Sequence, residues 1–596
     1  MPAQNTVVPP VPIGIGETKI RTALRPITPP AAGQAWFRVR TSHFEIISSA
    51  APSRTIEIAR DLETLAATLT RASSRFQRST VPTSVFVFAK RREIQPYLDL
   101  LIEPRTRATG IYIRHRDGGV MLIDAGRQGF ARTAMHELIH DLLRQGDTLP
   151  PLWLEEGLAV YFSNATFDRD ALIAGQLVDE HVNLLTNTPL RTFADVLSVR
   201  AESPEATTPH FYAQSWAAVH WLMQIDDEAF WSFLAALEDG ETVERALRSH
   251  YDRGIDDLAK GVASVRRPRR VNPQRAQTLS RSLIPLVRPV RFTRLAPSSA
   301  PLDPLELARP ELLFELGRFL SYVPGAESEA TRHAHAALEE DPHHARSLAT
   351  LGRFEDAVAA APRDPYVHLA WAEWLLGGAV GPFASFFEPA DADVERFRHA
   401  RQLAETALEL DADNGRASAF LGTSYLIEND VSAGIPHLER ARALLPHRRT
   451  FALTLYAMYL RVEDQERAAA LYNDVFATAR DEQVRFHAAS VRLREETRRA
   501  NRLLRDGRES EAAALLRQLA DSTPDAAAKQ ELESEAAKLE ALAALNRQIL
   551  LFNEAVAQAN RSDRAAALAL LDRVLEIGTD PDLLDRARRL RANLSK

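Results

Sequence analysis

From about residue 306 to the C terminus the chain repeats itself. Leu421-Gly422, Tyr425, Gly434, Leu438, Ala441 and Pro446 form one register of small and apolar residues, and a shift of 34 residues gives Leu455-Tyr456, Tyr459, Ala468, Tyr472 and Val475. Looser copies lie around 312–342, 365–411, 497–524 and 548–578, and an insertion at 377–393 interrupts them. A repeat of this length constrains the fold strongly. One unit has an apolar face too small to be stable alone, so neighbouring units must stack into a continuous core.

The spacing resembles the tetratricopeptide repeat. That resemblance implies helix pairs over 306–596 that cross closely at their small residues, and a surface that recruits a protein partner. At 596 residues the chain is too long for one ordinary core and is expected to form about two to four domains. Its net charge of −7 gives no electrostatic case for nucleic acid or an anionic membrane. The absence of cysteine excludes disulfides and thiolate chemistry, so any metal site must use His and carboxylate ligands. No apolar run approaches the roughly 20 residues of a membrane span. Residues 1–34, rich in Pro, Thr and Ala, read as a flexible arm without the pattern of a secretory signal, which makes the cytoplasm the default compartment and leaves export open.

Between the arm and the repeats the pattern is mixed. Trp36–Val39 and Phe44–Ile47 read as strands, and residues 54–75 as a helix with Ile58, Leu62, Leu65 and Leu69 near one face. Ser84–Phe88 is a β-branched and aromatic strand, and an Asp-Gly turn joins Gly110–Ile113 to Val120–Ile123 as a hairpin. Residues 261–300 hold nine arginines, five prolines and no acid, the composition of an interdomain linker or, alternatively, of a strip for an anionic polymer or lipid headgroups. The expected domains are therefore the arm 1–34, a mixed domain 35–260, a linker 261–305 and the repeats 306–596.

The chemistry concentrates in the mixed domain. His136-Glu137-Leu138-Ile139-His140 places two imidazoles at i and i+4 on one helix face, where both can reach one ion, with Glu137 beside it as a candidate base. Met135, Leu138 and Ile139 would bury the remaining faces. A second helix-like segment, Leu149–Phe162, begins with two prolines and carries Glu155, Glu156, Gly157 and Ala159.

Together these segments resemble the gluzincin peptidases, in which Trp-x-x-Glu-Gly-x-Ala supplies a third, carboxylate ligand; here it reads Trp153-x-x-Glu156-Gly157-x-Ala159. The likeness is nearest to peptidase MA-like proteins with a tetratricopeptide tail. It implies an α+β zincin-like domain with a small mixed sheet, followed by an all-α solenoid. It also implies one Zn2+ per chain on His136, His140 and Glu156, and hydrolysis of peptide bonds by water that zinc activates and Glu137 deprotonates. The adjacent Glu155 competes as the ligand; the resemblance selects Glu156 and turns Glu155 toward solvent or a nearby Arg. It makes Gly110–Ile113 the edge strand of the cleft, where a peptide substrate can pair, or else an ordinary hairpin under the core. The lack of an acid there argues against aminopeptidase action and for an endopeptidase. Within Pro209–Trp216, Tyr212 is the expected oxyanion donor, with His210 as its alternative. Asp141 either orients an imidazole or pairs at the surface, and His220 and His335 read as structural. The competing expectation is a repeat scaffold that carries an inactive or narrowly specific zincin domain.

Overall fold

The computed structural model describes residues 26–596 except 79–80, 102–108, 116–117, 127–129, 145–149, 202, 266–289, 296–300, 377–393, 429, 447, 478–481 and 524–525. The insertion at 377–393, most of the arm and most of the Arg/Pro-rich linker thus lie outside the described residues. Two units are separable, one running to Ala452 and the other from Leu453.

The first unit opens with β1 (Phe37–Arg40), β2 (Phe44–Ser48), α1 (Pro52–Ala72), β3 (Thr83–Phe88), α2 (Arg91–Leu101), β4 (Gly110–His115), β5 (Gly118–Asp124), α3 (Phe130–Leu143) and α4 (Leu152–Ser163). A small three-stranded sheet and further helices follow: β6 (Thr166–Phe167), β7 (Ala171–Ala174), α5 (Asp179–Asn187), α6 (Phe193–Ser198), α7 (Pro209–Ile225), α8 (Asp227–Glu238), α9 (Val243–Tyr251), α10 (Ile255–Val265), β8 (Val290–Thr293) and β9 (Leu305–Glu306). The main sheet has the order β4-β5-β3-β2-β1-β9, with β2, β3 and β5 parallel and β4, β1 and β9 antiparallel to their neighbours. β4 is therefore an edge strand.

Both faces of this sheet are buried, and the period of two assigns each residue to one of them. Ile46, Val85, Val87, Met121 and Ile123 face a core shared with α1, α3, α4 and α7. Ile47, Phe86, Phe88, Val120 and Leu122 face a second core, built by α2 and by the helix pair Arg309–Leu320 and Glu327–Glu340. A sheet apolar on both sides must be covered on both sides, and α2 is too short to cover one face alone. The boundary expected at residue 306 consequently does not separate two cores. Parts of the expected linker also enter the sheets: β8 pairs with β7, and β9 with β1. At the end of the expected arm, Ile27 is buried and its N–H donates to Glu329 at 3.1 Å.

Helix pairs make up the rest of both units, and the chain carries a tetratricopeptide-like helical region. Gly415–Ile427 and Val431–Leu444 cross where a Cβ on Gly422 would lie 3.0 Å from the Gly434 carbonyl oxygen and 2.6 Å from Leu438 Cγ. This is the close approach that the small residues in the repeat signal. In the second unit the apolar clusters are local: Ala500, Leu516, Leu532 and Ala536 join the three helices Glu482–Arg505, Glu509–Ser522 and Ala526–Asn560, and Phe552, Leu571, Val574 and Leu583 join the last of these to the two that follow it. No described helix is long and apolar enough to cross a membrane.

Candidate metal centre

α3 lies under the sheet with Ala134, Met135, Leu138, Ile139 and Leu142 in its core. That burial turns His136 and His140 to the opposite side, toward α4. α4 is apolar almost all round because it is enclosed between α3 and α7, and every residue from Trp153 to Ser163 is buried. Gly157 permits this enclosure. A Cβ there would lie 2.5 Å from the Ser215 carbonyl oxygen of α7 and 2.6 Å from Val219 Cγ2.

The packing brings three donor atoms together. His136 Nε2 and His140 Nε2 are 3.2 Å apart, and Glu156 Oε2 is 3.5 Å from the first and 3.6 Å from the second. Two imidazoles and a carboxylate bound tetrahedrally at ~2.0–2.2 Å from one zinc-sized ion would have donor atoms roughly 3.3–3.5 Å apart. The observed triangle matches that size. Glu156 Oε2 is buried and, among the described residues, accepts no hydrogen bond, while both imidazole Nε2 atoms lie within 3.6 Å of it. Among the described residues this is the group of His and acidic side chains whose ligand atoms could hold a metal ion.

The electrostatics agree. Burial opposes the charge on Glu156, but His140 and His136 outweigh it and hold its carboxyl well below the usual carboxylate range. Burial likewise opposes charge on His140, yet Glu156 and Glu155 push its imidazole up to about 10. Glu137 is buried next to the ligands, and burial pushes its carboxyl up against the pull of His136 and His140.

Other expected residues divide. Tyr212, on the first turn of α7, sets its ring 6.3 Å from that of His136; Glu156 and burial raise its phenol well above the usual range, so it stays protonated as a donor. His210 is half-buried two residues earlier and, among the described residues, makes no hydrogen bond or ion pair with the cluster. β4 passes so close to α3 that a Cβ on Gly110 would meet Thr133 Cγ2 and lie 3.4 Å from Glu137 Cγ. Asp141 is buried and turned to the sheet, where Thr83 Oγ1 donates to it at 3.1 Å, rather than to an imidazole or to solvent. His220 is buried against Trp216, and His335 is exposed.

Glu155 does not point to solvent. Its side chain is 4% exposed, with Oε1 2.8 Å from His140 Nδ1 and 2.6 Å from Arg144 Nε. An arginine partner was one of the two expectations, whereas the contact with His140 had no separate signal in the sequence. His181 of α5 was also missed. It packs against Trp216, and burial and His136 push its imidazole down to about 4. It has no ligand-spaced partner in sequence, and only the fold of α5 brings it near.

Residues 131–243, which include every residue of this cluster, match a family model described as "Protein of unknown function (DUF1570)". None of the curated proteins matches the chain. Among solved structures, the chain is similar to a thermophilic TPR protein of Thermus thermophilus (20% identity, 31% of this chain and 99% of that one, TM-score 0.25). It is also similar to the P58(IPK) TPR domain (16% identity, 48% and 98%, TM-score 0.17) and to the APC/C hetero-tetramer Cut9-Hcn1 (15% identity, 63% and 72%, TM-score 0.21).

Proposed function

We propose that this chain binds a protein partner through its helical repeats and hydrolyses peptide bonds at a zinc centre in a gluzincin-like domain. The repeat half rests on helix pairs that fill most of the chain beyond residue 309. The hydrolytic half rests on one observation: the triangle of His136, His140 and Glu156 donors beside the buried carboxyl of Glu137. Two imidazoles and one carboxylate suit zinc and leave a position open for a reactant. Bound there, zinc would supply a Lewis acid that polarises a carbonyl and acidifies water.

The chain's own groups would do the rest. Glu137, its carboxyl pushed up by burial, takes a proton from the attacking water and returns it to the leaving amine. Tyr212 keeps its phenol protonated and donates to the oxygen on which negative charge builds. The open edge of β4 offers backbone groups to an extended peptide beside Glu137. No acid stands at 110–113 to hold a substrate amine, which favours internal cleavage.

A second reading makes the protein a scaffold whose metal centre is structural or narrowly specific. The extent of the repeats favours it. Metal analysis of the purified chain, combined with cleavage of unfolded casein with and without a chelator, separates the two. Chelator-sensitive cleavage that Glu137→Gln abolishes while zinc content is kept supports the peptidase. A zinc-replete chain that leaves casein intact moves the assignment to the scaffold, and wild-type turnover in a metal-replete Glu137→Gln sinks the role of that base.

A further inference from the structure

We propose that Glu155, clamped by Arg144, is a positioning residue that fixes the tautomer and orientation of His140; this rests on the metal-centre reading above. The contact at 2.8 Å joins His140 Nδ1 to a carboxylate oxygen. An ionised carboxylate only accepts, so Nδ1 carries the proton and donates. In the neutral imidazole the lone pair then belongs to Nε2, the atom that faces His136 Nε2 and Glu156 Oε2. A carboxylate behind a ligating imidazole also makes it a more basic ligand.

Arg144 keeps the carboxylate in place. It stands four residues after His140, just past the end of α3, where its N–H donates to the His140 carbonyl at 3.0 Å and its Nε donates to the same Oε1 at 2.6 Å. Glu155 and Glu156 are neighbours on α4, and successive helical residues point about 100° apart. One therefore reaches the back of the His140 ring while the other reaches its front. The bland account is that Glu155 serves only as a strut for Arg144, and the test is built to separate the two.

Zinc affinity would be measured by competition with a chromophoric chelator, and ligand geometry by the visible spectrum of the cobalt-substituted protein. Arg144→Met alone is expected to weaken zinc binding by less than about tenfold. Glu155→Ala, and the double variant Arg144→Met/Glu155→Ala that leaves no unpaired buried charge, are expected to weaken it by about 10–100-fold and to shift the cobalt bands. Glu155→Gln, whose amide oxygen still accepts from Nδ1, is expected to recover most of the affinity. If the folded double variant binds zinc as tightly as Arg144→Met, with an unchanged cobalt spectrum, Glu155 is a strut and the proposal is overturned while the metal centre stands. If wild type takes up no zinc, the metal centre itself falls, and this role with it.

Discussion

Gly157→Ala sets two physical effects against each other at the helix that carries Glu155 and Glu156. On an isolated helix the change stabilises by about 1 kcal/mol, because Ala gives up less backbone freedom than Gly. In this fold the new Cβ would sit 2.5 Å from the Ser215 carbonyl oxygen and 2.6 Å from Val219 Cγ2. Ordinary contact begins near 3.4 Å, so α4 and α7 must part by about 0.9 Å. The obstacle is backbone on α7, which no rotamer change removes, and overpacking of this kind costs about 1–3 kcal/mol. The clash outweighs the propensity gain, and the net effect is a destabilisation of up to about 2 kcal/mol.

The chemistry should suffer more than the fold, because Glu156 lies on one of the displaced helices and Tyr212 on the other. A displacement near 1 Å is enough to cost on the order of 100-fold in turnover. Calorimetry of wild type and variant, with zinc occupancy measured in parallel, checks both consequences. A variant that melts at or above the wild-type temperature and keeps its zinc would show that propensity governs this site. The close approach of α4 and α7, and the account of why Gly follows the ligand, would then be wrong.

Tyr212→Phe removes one donor and keeps the ring, and should lower kcat on any cleaved peptide by about 100-fold at unchanged zinc content; an unaltered kcat would return the role to His210. Glu156→Ala should lose far more bound zinc than Glu155→Ala, and equal metal content in the two purified variants would contradict the ligand assignment. Away from the centre, Glu311 accepts from His344 at 3.1 Å, Arg38 at 3.2 Å and Arg346 at 3.4 Å. Burial opposes its charge, but those partners hold it down to about 2. A depressed pKa stabilises above the unfolded value near 4.5 and loses that contribution as pH falls toward 2. Glu311→Gln should thus cost roughly 1–3 kcal/mol at pH 7, with the difference from wild type vanishing in denaturant titrations near pH 2.

Much of the site was legible because its signal is local. The i, i+4 spacing of His136 and His140 puts two imidazoles on one face of any helix, and the apolar residues between them already say which face is buried. The period of two in β3 and β5, and the 34-residue repeat, are local signals of the same kind. Tertiary packing decided what local spacing cannot encode. The adjacent Glu155 and Glu156 are chemically identical, and α4, enclosed between α3 and α7, has no polar face to tell them apart. Their different placements come from the way α4 packs on α3, which sets Glu156 before the two Nε2 atoms and Glu155 between His140 and Arg144. His181 reaches the cluster by the same kind of long-range placement. So does the helix pair Arg309–Glu340, a repeat by its sequence, which the two-faced sheet takes as its second cover. Sequence set which groups could act and on which elements; their neighbours were set by helices meeting across long stretches of chain, where burial and close packing, rather than periodicity, choose the partner.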